Sequence, residues 1–266
     1  MRFGRDPRGG RLDRLGVYME AANIIRDAVA RVSLLRQAHR DSPELARMVD
    51  VVKAFQARRF AGTYADLLKA GQYRPAALFF LEELYSDKDY TARDQQFARI
   101  AGALQRIFPE QVVQTAVSMA RLHALTEELD DAMARHWLTH RGEAKCSQSG
   151  HYVVAWRSVG RPCDRRDQLE TVLAVGRELD RLTRAPGVRV LLRMMRGPAA
   201  MAGLSSLQRF LEIGFDTFAE MGRSGSGATL FLETIHTRES ALMDLLFDAD
   251  PVASETELAS ILGQAR

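Results

Sequence analysis

The sequence predicts an all-α fold, and three observations carry that prediction. Apolar residues recur at helical spacing along most of the chain, helix-start and helix-stop residues punctuate it, and period-two alternation joined by tight turn pairs such as Asn-Gly is absent. The expected architecture is a bundle of about nine to eleven helices without significant sheet. With 266 residues, 46% of them hydrophobic, one large core is within reach. The expected layout is a flexible basic arm at 1–14, a single helical domain at 15–247 with an irregular connection at 141–163, and a C-terminal loop and short helix at 248–266.

A first helix is expected from Leu15 to His39. Asp41-Ser42-Pro43-Glu44 then ends it and starts a second, which carries Leu45, Met48, Val52 and Phe55 on one face and runs to Leu68. The segment Tyr73 to Tyr85 is helix-primed by Pro75 and apolar nearly all round, the pattern of an interior helix; its charged residues are Arg74, Glu82 and Glu83. Thr91 is placed to cap the next helix, with Asp94 near its positive end and Phe97, Ile100, Leu104 and Ile107 inward. A long helix follows Pro109 through Trp137, with Val112, Ala116, Met119 and His123 inward.

Gly142, Gly150, Gly160 and Pro162 interrupt the periodicity around Tyr152 to Trp156, a patch read as a short helix in preference to a strand. Asp164 is expected to cap a helix through Arg184, and Pro186-Gly187 breaks the chain before a short helix ending at Gly197. Pro198 opens a helix through Met221, in which Leu204, Leu207, Leu211, Phe215 and Phe218 share one side, while Gly203 and Gly214 permit close helix approach. A helix from Ala228 to Phe247 and a last one capped by Ser254 complete the chain.

Composition narrows the function classes. The net charge is +3 with 37 basic and 34 acidic residues, and the basic residues are dispersed apart from Arg2, Arg5, Arg8, Arg11 and Arg14, so nucleic-acid binding through scattered arginines is a second alternative only. No apolar run approaches the roughly 20 residues of a membrane span, and the N-terminus lacks the apolar stretch of a secretory leader, so the chain reads as cytoplasmic with no membrane partner. Cys146 and Cys163 form no CxxC pair and read as free thiols. Walker A, GxGxxG, GxSxG and HExxH motifs are absent, and no cofactor is expected.

Five residues stand out. His123 and Glu127 lie one turn apart on the long helix, where they can serve as base and orienter, as two metal ligands, or as a hydrogen-bonded lock between helices. Arg238 falls on the inward stripe between Ile235 and Leu242 and needs a carboxylate, for which Glu83 is the first candidate and Glu212 the second. His136 with His140, and Glu233 with His236, have ligand-like spacings without the further ligands a site requires, so no metal is expected.

The run Tyr73-Arg74-Pro75-Ala76, Phe79-Phe80-Leu81 and Glu83-Leu84-Tyr85, joined to Lys88-Asp89, Arg93-Asp94 and Leu122-His123-Ala124-Leu125, resembles an uncharacterised family of bacterial all-helical proteins, a domain of unknown function. The resemblance continues through Gly203-Leu204, Leu207 to Glu212, Gly214-Phe215, Phe231 to Ile235 and Arg238-Glu239. It implies a helical fold and a bacterial cytoplasmic origin and transfers no catalytic residue. The leading expectation is a non-enzymatic regulatory or protein-interaction module, with a protein partner or a second copy of the chain. The alternative is a small-ligand or cofactor-binding protein, possible as an enzyme, with a polar pocket inside the bundle. Convergence of Glu83, His123, Glu127 and Arg238 on one concavity would favour the second.

Overall fold

A computed structural model describes residues 9–69, 71–83, 94–96, 98–99, 110–140, 147–201, 203–223 and 227–265, with side chains from residue 20 onward except that of Glu83. Twelve helices, ten of them of seven or more residues, and no strand are present among the described residues. They are α1 (Gly9–Asp41), α2 (Pro43–Thr63), α3 (Ala65–Lys69), α4 (Arg74–Glu83), α5 (Glu110–Thr139) and α6 (Gln148–Val159). The second half adds α7 (Pro162–Arg184), α8 (Val188–Met194), α9 (Arg196–Met201), α10 (Ser205–Gly222), α11 (Gly227–Asp248) and α12 (Pro251–Gln264). The helix expected after Thr91, with its inward Phe97, Ile100, Leu104 and Ile107, lies largely outside the described residues.

Local chemistry accounts for most helix boundaries. Ser42 caps α2, its Oγ accepting from the Leu45 N–H, and Pro43 fills the first turn. The apolar patch at Tyr152 to Trp156 is helical, capped by Ser147 Oγ at the Gly150 N–H, and buries Tyr152, Val153, Ala155 and Trp156. Four expectations need correction. The second helix stops at Thr63 because Tyr64, wholly buried, turns the chain into the separate α3. Gly203 sits in a left-handed turn (φ +68°) between α9 and α10 and is not a helical contact residue.

The cap of α7 is Arg161, at φ +60° directly after Gly160 at φ +62°; this pair reverses the chain between α6 and α7, and Asp164 lies inside the first turn, accepting from Arg161. The cap of α12 is Asp250, whose carboxylate accepts from the Val252 and Ala253 N–H groups, whereas Ser254 is buried and donates back to the carbonyls of Leu245 and Asp250.

Helix α5 runs through the middle and packs against α1, α2, α6 and α7. Its buried stripe comprises Val113, Ala116, Val117, Ala120 and Ala124, rotated slightly from the expected one. Small residues on both sides, Ala21, Ala22 and Ala28 facing Ala116 and Ala120, let α1 lie close. A second cluster gathers Phe55, Trp137, Tyr152, Trp156, Leu246 and Leu258 from α2, α5, α6, α11 and α12. A third joins Phe60 on α2 to Phe80 on α4, Phe210 and Phe218 on α10, and Phe231 on α11. The interior role read for the Pro75 segment holds for its described part: Ala76, Ala77, Phe79 and Phe80 are buried, and Phe79 lies against Gly214 of α10.

The last helix is seated by a close approach. A Cβ on Gly62 would lie 2.0 Å from the Ile261 carbonyl oxygen, a backbone atom that cannot rotate away. Elsewhere in a helix Gly→Ala gains about 1 kcal/mol. Here Gly62→Ala is expected to destabilise by about 2 kcal/mol, as overpacking does. Denaturant unfolding checks this, and a variant as stable as the parent would contradict the seating of α12 on α2.

Candidate functional site

Polar side chains on several helices share one spacing and one direction. Helix α5 presents His123, Thr126, Glu127 and Asp130, α2 presents Lys53, Gln56 and Phe60, and α7 presents Arg165, Gln168, Leu169 and Val172. Steps of three and four residues put each set on one helix face, and α6 adds Tyr152 and Trp156 while α11 adds Ile235, Glu239 and Met243. These faces surround a cavity of about 220 Å³. Its walls are polar where α2, α5 and the start of α7 meet and apolar further along, where Phe79, Phe210, Leu211, Phe218 and Leu179 line it.

The polar wall is a chain of paired charges. Lys53 Nζ donates to Glu127 Oε1 at 2.7 Å, and Gln56 Nε2 donates to Asp130 Oδ1 at 3.0 Å. Arg59 on α2 donates to Glu239 Oε1, which also accepts from the Tyr64 hydroxyl at 2.9 Å. On the α1 side, Arg36 Nη2 donates to Asp94 Oδ2 at 2.7 Å, and the same oxygen lies 2.9 Å from His123 Nε2. Gln168 donates to Thr126 Oγ1 at 2.7 Å and ties α7 to α5.

Burial and pairing set the protonation of this wall. Burial alone would push the Lys53 ammonium down, but the carboxylates of Glu127 and Asp130 outweigh it and raise it. Glu127 is the mirror case: burial pushes it up, and the Lys53 charge and hydrogen bond carry it below the usual carboxylate range. Asp130 is pushed up to about 6, first by burial, with the neighbouring Glu127 adding to the rise and Lys53, Gln56 and Arg165 opposing it. Burial likewise lowers Arg165 and raises Tyr152.

Of the five residues singled out in the sequence, the structure brings His123 and Glu127 to this cavity. Arg238 instead makes a bidentate pair with Asp66 on α3 at 2.7 Å through both nitrogens and donates to the Thr63 carbonyl, and it is one-third exposed. Among the described residues the partner is therefore not Glu212 but a residue that the unforeseen turn at Tyr64 carries under α11. Glu212 pairs with exposed Arg196 at 2.7 and 2.8 Å, and the side chain of Glu83 lies outside the described residues. The inward charge on α11 is Glu239, one position beyond Arg238 on the same stripe.

Sequence reasoning also passed over Lys53, Gln56, Asp130 and Arg165. A signal existed for the first two: Val49, Lys53, Gln56 and Phe60 recur at helical spacing, so a polar break in a buried stripe was visible. His136 and His140 stack on each other at 4.1 Å near the end of α5, and His236 is exposed with Glu170 at 3.6 Å. Among the described residues no group of three or more His, Cys, Asp or Glu is placed to hold a metal ion, and no helix is long and apolar enough to cross a membrane.

No curated protein and no solved structure gives a significant match to the chain. Residues 35–253, which include every charged side chain of the cavity wall, match the family model described as Domain of unknown function (DUF8198), and the chain belongs to that family.

Proposed function

We propose that the protein binds a small amphipathic molecule inside the helical bundle. The observation that carries this reading is the convergence of His123, Glu127, Asp130, Lys53 and Arg165 on one end of a cavity whose other end is aromatic and aliphatic. Ligand sites combine an apolar body with a few oriented polar groups in this way, and helical bundles build them from facing side chains. The volume supports a ligand larger than benzene, which fills an engineered apolar cavity of about 150 Å³.

The protein-interaction reading draws its support from a different surface. Val190, Met194 and Met201 on α8 and α9 are 60%, 69% and 86% exposed beside Arg189 and Arg193, a combination suited to contact with another macromolecule. The cavity favours the ligand reading because it demands desolvated charges, which a docking surface does not need.

An apolar fluorescent probe is expected to bind the full chain saturably at one site. Val172→Phe, which projects a ring into the cavity, is expected to abolish that binding and leave the fold intact by circular dichroism. Probe binding unaffected by this substitution would remove the cavity from consideration.

A further inference from the structure

Resting on the cavity reading above, we infer that the occupant is an amphipathic monocarboxylate, held by Arg165 and the Trp156 indole with its apolar chain lying between α7 and α10. The charge inventory of the polar wall leads there. Lys53 is matched by Glu127, Arg59 by Glu239, and Arg36 by Asp94, which leaves Arg165 and Asp130 near each other but outside ion-pair contact. Arg165 is 4% exposed, yet no carboxylate among the described residues lies within ion-pair distance of it. Its guanidinium instead lies 3.7 Å over the Trp156 ring. A buried guanidinium with no counter-ion in contact is a costly arrangement that a bound anion would offset.

Hydrogen bonding points the same way. Arg165 Nε, Arg165 Nη2 and Trp156 Nε1 are all buried without a partner. The three orphaned groups are all donors. A group bearing two acceptor oxygens and one negative charge satisfies them, and a guanidinium edge presents its donors at carboxylate spacing. A single guanidinium with no carboxylate in contact suits a monoanion; a dianionic phosphate would bring a second charge against Glu127 and Asp130.

The apolar part of the ligand follows from the direction of α7. Arg165, Gln168, Leu169, Val172, Gly176 and Leu179 line the cavity in sequence, so the lining turns from charged to aliphatic along about 20 Å of helix at 1.5 Å per residue. Phe79, Phe210 and Phe218 stand opposite its apolar end. An elongated acid fits this gradient better than a compact polar metabolite. Binding would also place a second negative charge near Asp130, which faces Lys53 and Gln56 from α2, Glu127 from its own helix, Tyr152 from α6 and Arg165 from α7. Proton uptake at Asp130 relieves that repulsion, so the carboxylate binds more tightly as pH falls from 8 to 6.

The test uses the full chain after extraction of retained ligands, with displacement of the apolar fluorescent probe by decanoate, decanol and decyltrimethylammonium. Decanoate is expected to displace the probe at least about tenfold more tightly than decanol, and the cation to be weakest. Arg165→Leu is expected to erase the preference for the acid while decanol binding stays within about twofold, and Arg165→Lys to retain part of it. Should Arg165→Leu fail to fold, the comparison of acid with alcohol on the parent protein, and its pH dependence, decide the matter alone. Equal affinity for decanol and decanoate, or tightest binding of the cation, would overturn the carboxylate assignment and leave the cavity reading standing. A protein that binds neither the probe nor any of the three compounds would overturn the cavity reading itself.

Discussion

Replacing Lys53 by methionine is expected to cost the fold about 3–5 kcal/mol, the penalty for removing one partner of a buried ion pair. The methionine fits the space of the lysine stem, so the loss is electrostatic. Glu127 is 5% exposed and Asp130 4% exposed, and the ammonium is the cation within hydrogen-bond distance of Glu127. Without it both carboxylates are stranded on the cavity wall and are forced toward their protonated forms. Adding Glu127→Gln to Lys53→Met is expected to recover most of the loss, because the pair is then removed rather than broken. Urea unfolding of the two single variants and the double variant at neutral pH measures the coupling. Additive losses would mean that the two residues do not act as a pair.

The second large effect is a dependence on pH. Asp130 has a folded-state value of about 6 against an ordinary 3.8, with burial as the principal cause. The folded protein therefore binds more protons than the unfolded chain between these values. The contribution to stability is fully present below about pH 4 and is lost as pH rises through 6. A shift of about two units corresponds to about 3 kcal/mol. Asp130→Asn is expected to lack this component, so that between pH 4 and 7.5 the parent loses up to about 3 kcal/mol relative to the variant. Glu127 and Asp131 are shifted downward and act in the opposite sense in both proteins, which is why the comparison must be between parent and variant. Parallel pH profiles for the two would show that Asp130 titrates normally.

How much of this was legible in the sequence depended on whether a feature is local. The helix break and restart at Asp41 to Glu44, the helical reading of Tyr152 to Trp156 and the inward stripe through Ile235 and Leu242 follow from short-range chemistry, and the structure agrees with each. The capping role assigned to Asp164 and Ser254 failed because another candidate lay a few residues upstream in each case, Arg161 in a left-handed conformation and Asp250 before a proline. Partner choice was the least legible. Arg238 was seen to need a carboxylate, but finding Asp66 required reading Gly62 as the signal that the chain turns at wholly buried Tyr64. His123 and Glu127 were singled out because both lie on one helix. Arg165 was missed because it follows a loop and sits in the first turn of α7, where a charged residue ordinarily reads as solvated.

The contact between Gly62 and Ile261 also orders events during synthesis. Tyr152 and Trp156 on α6 are covered by α12, and α12 is seated on α2, which was made some two hundred residues earlier. The nascent chain can form α2, α5 and α6 before the helix that packs on both α2 and α6 exists. The docking of α12 on them therefore waits until the chain through Ile261 has left the ribosome. Arg157, which donates to the carbonyls of Leu246 and Ala249, gains its third acceptor, the Ser254 hydroxyl, only with α12. A chain stalled before α12 would therefore carry every charged residue of the cavity wall without the helix that braces α6 against α2.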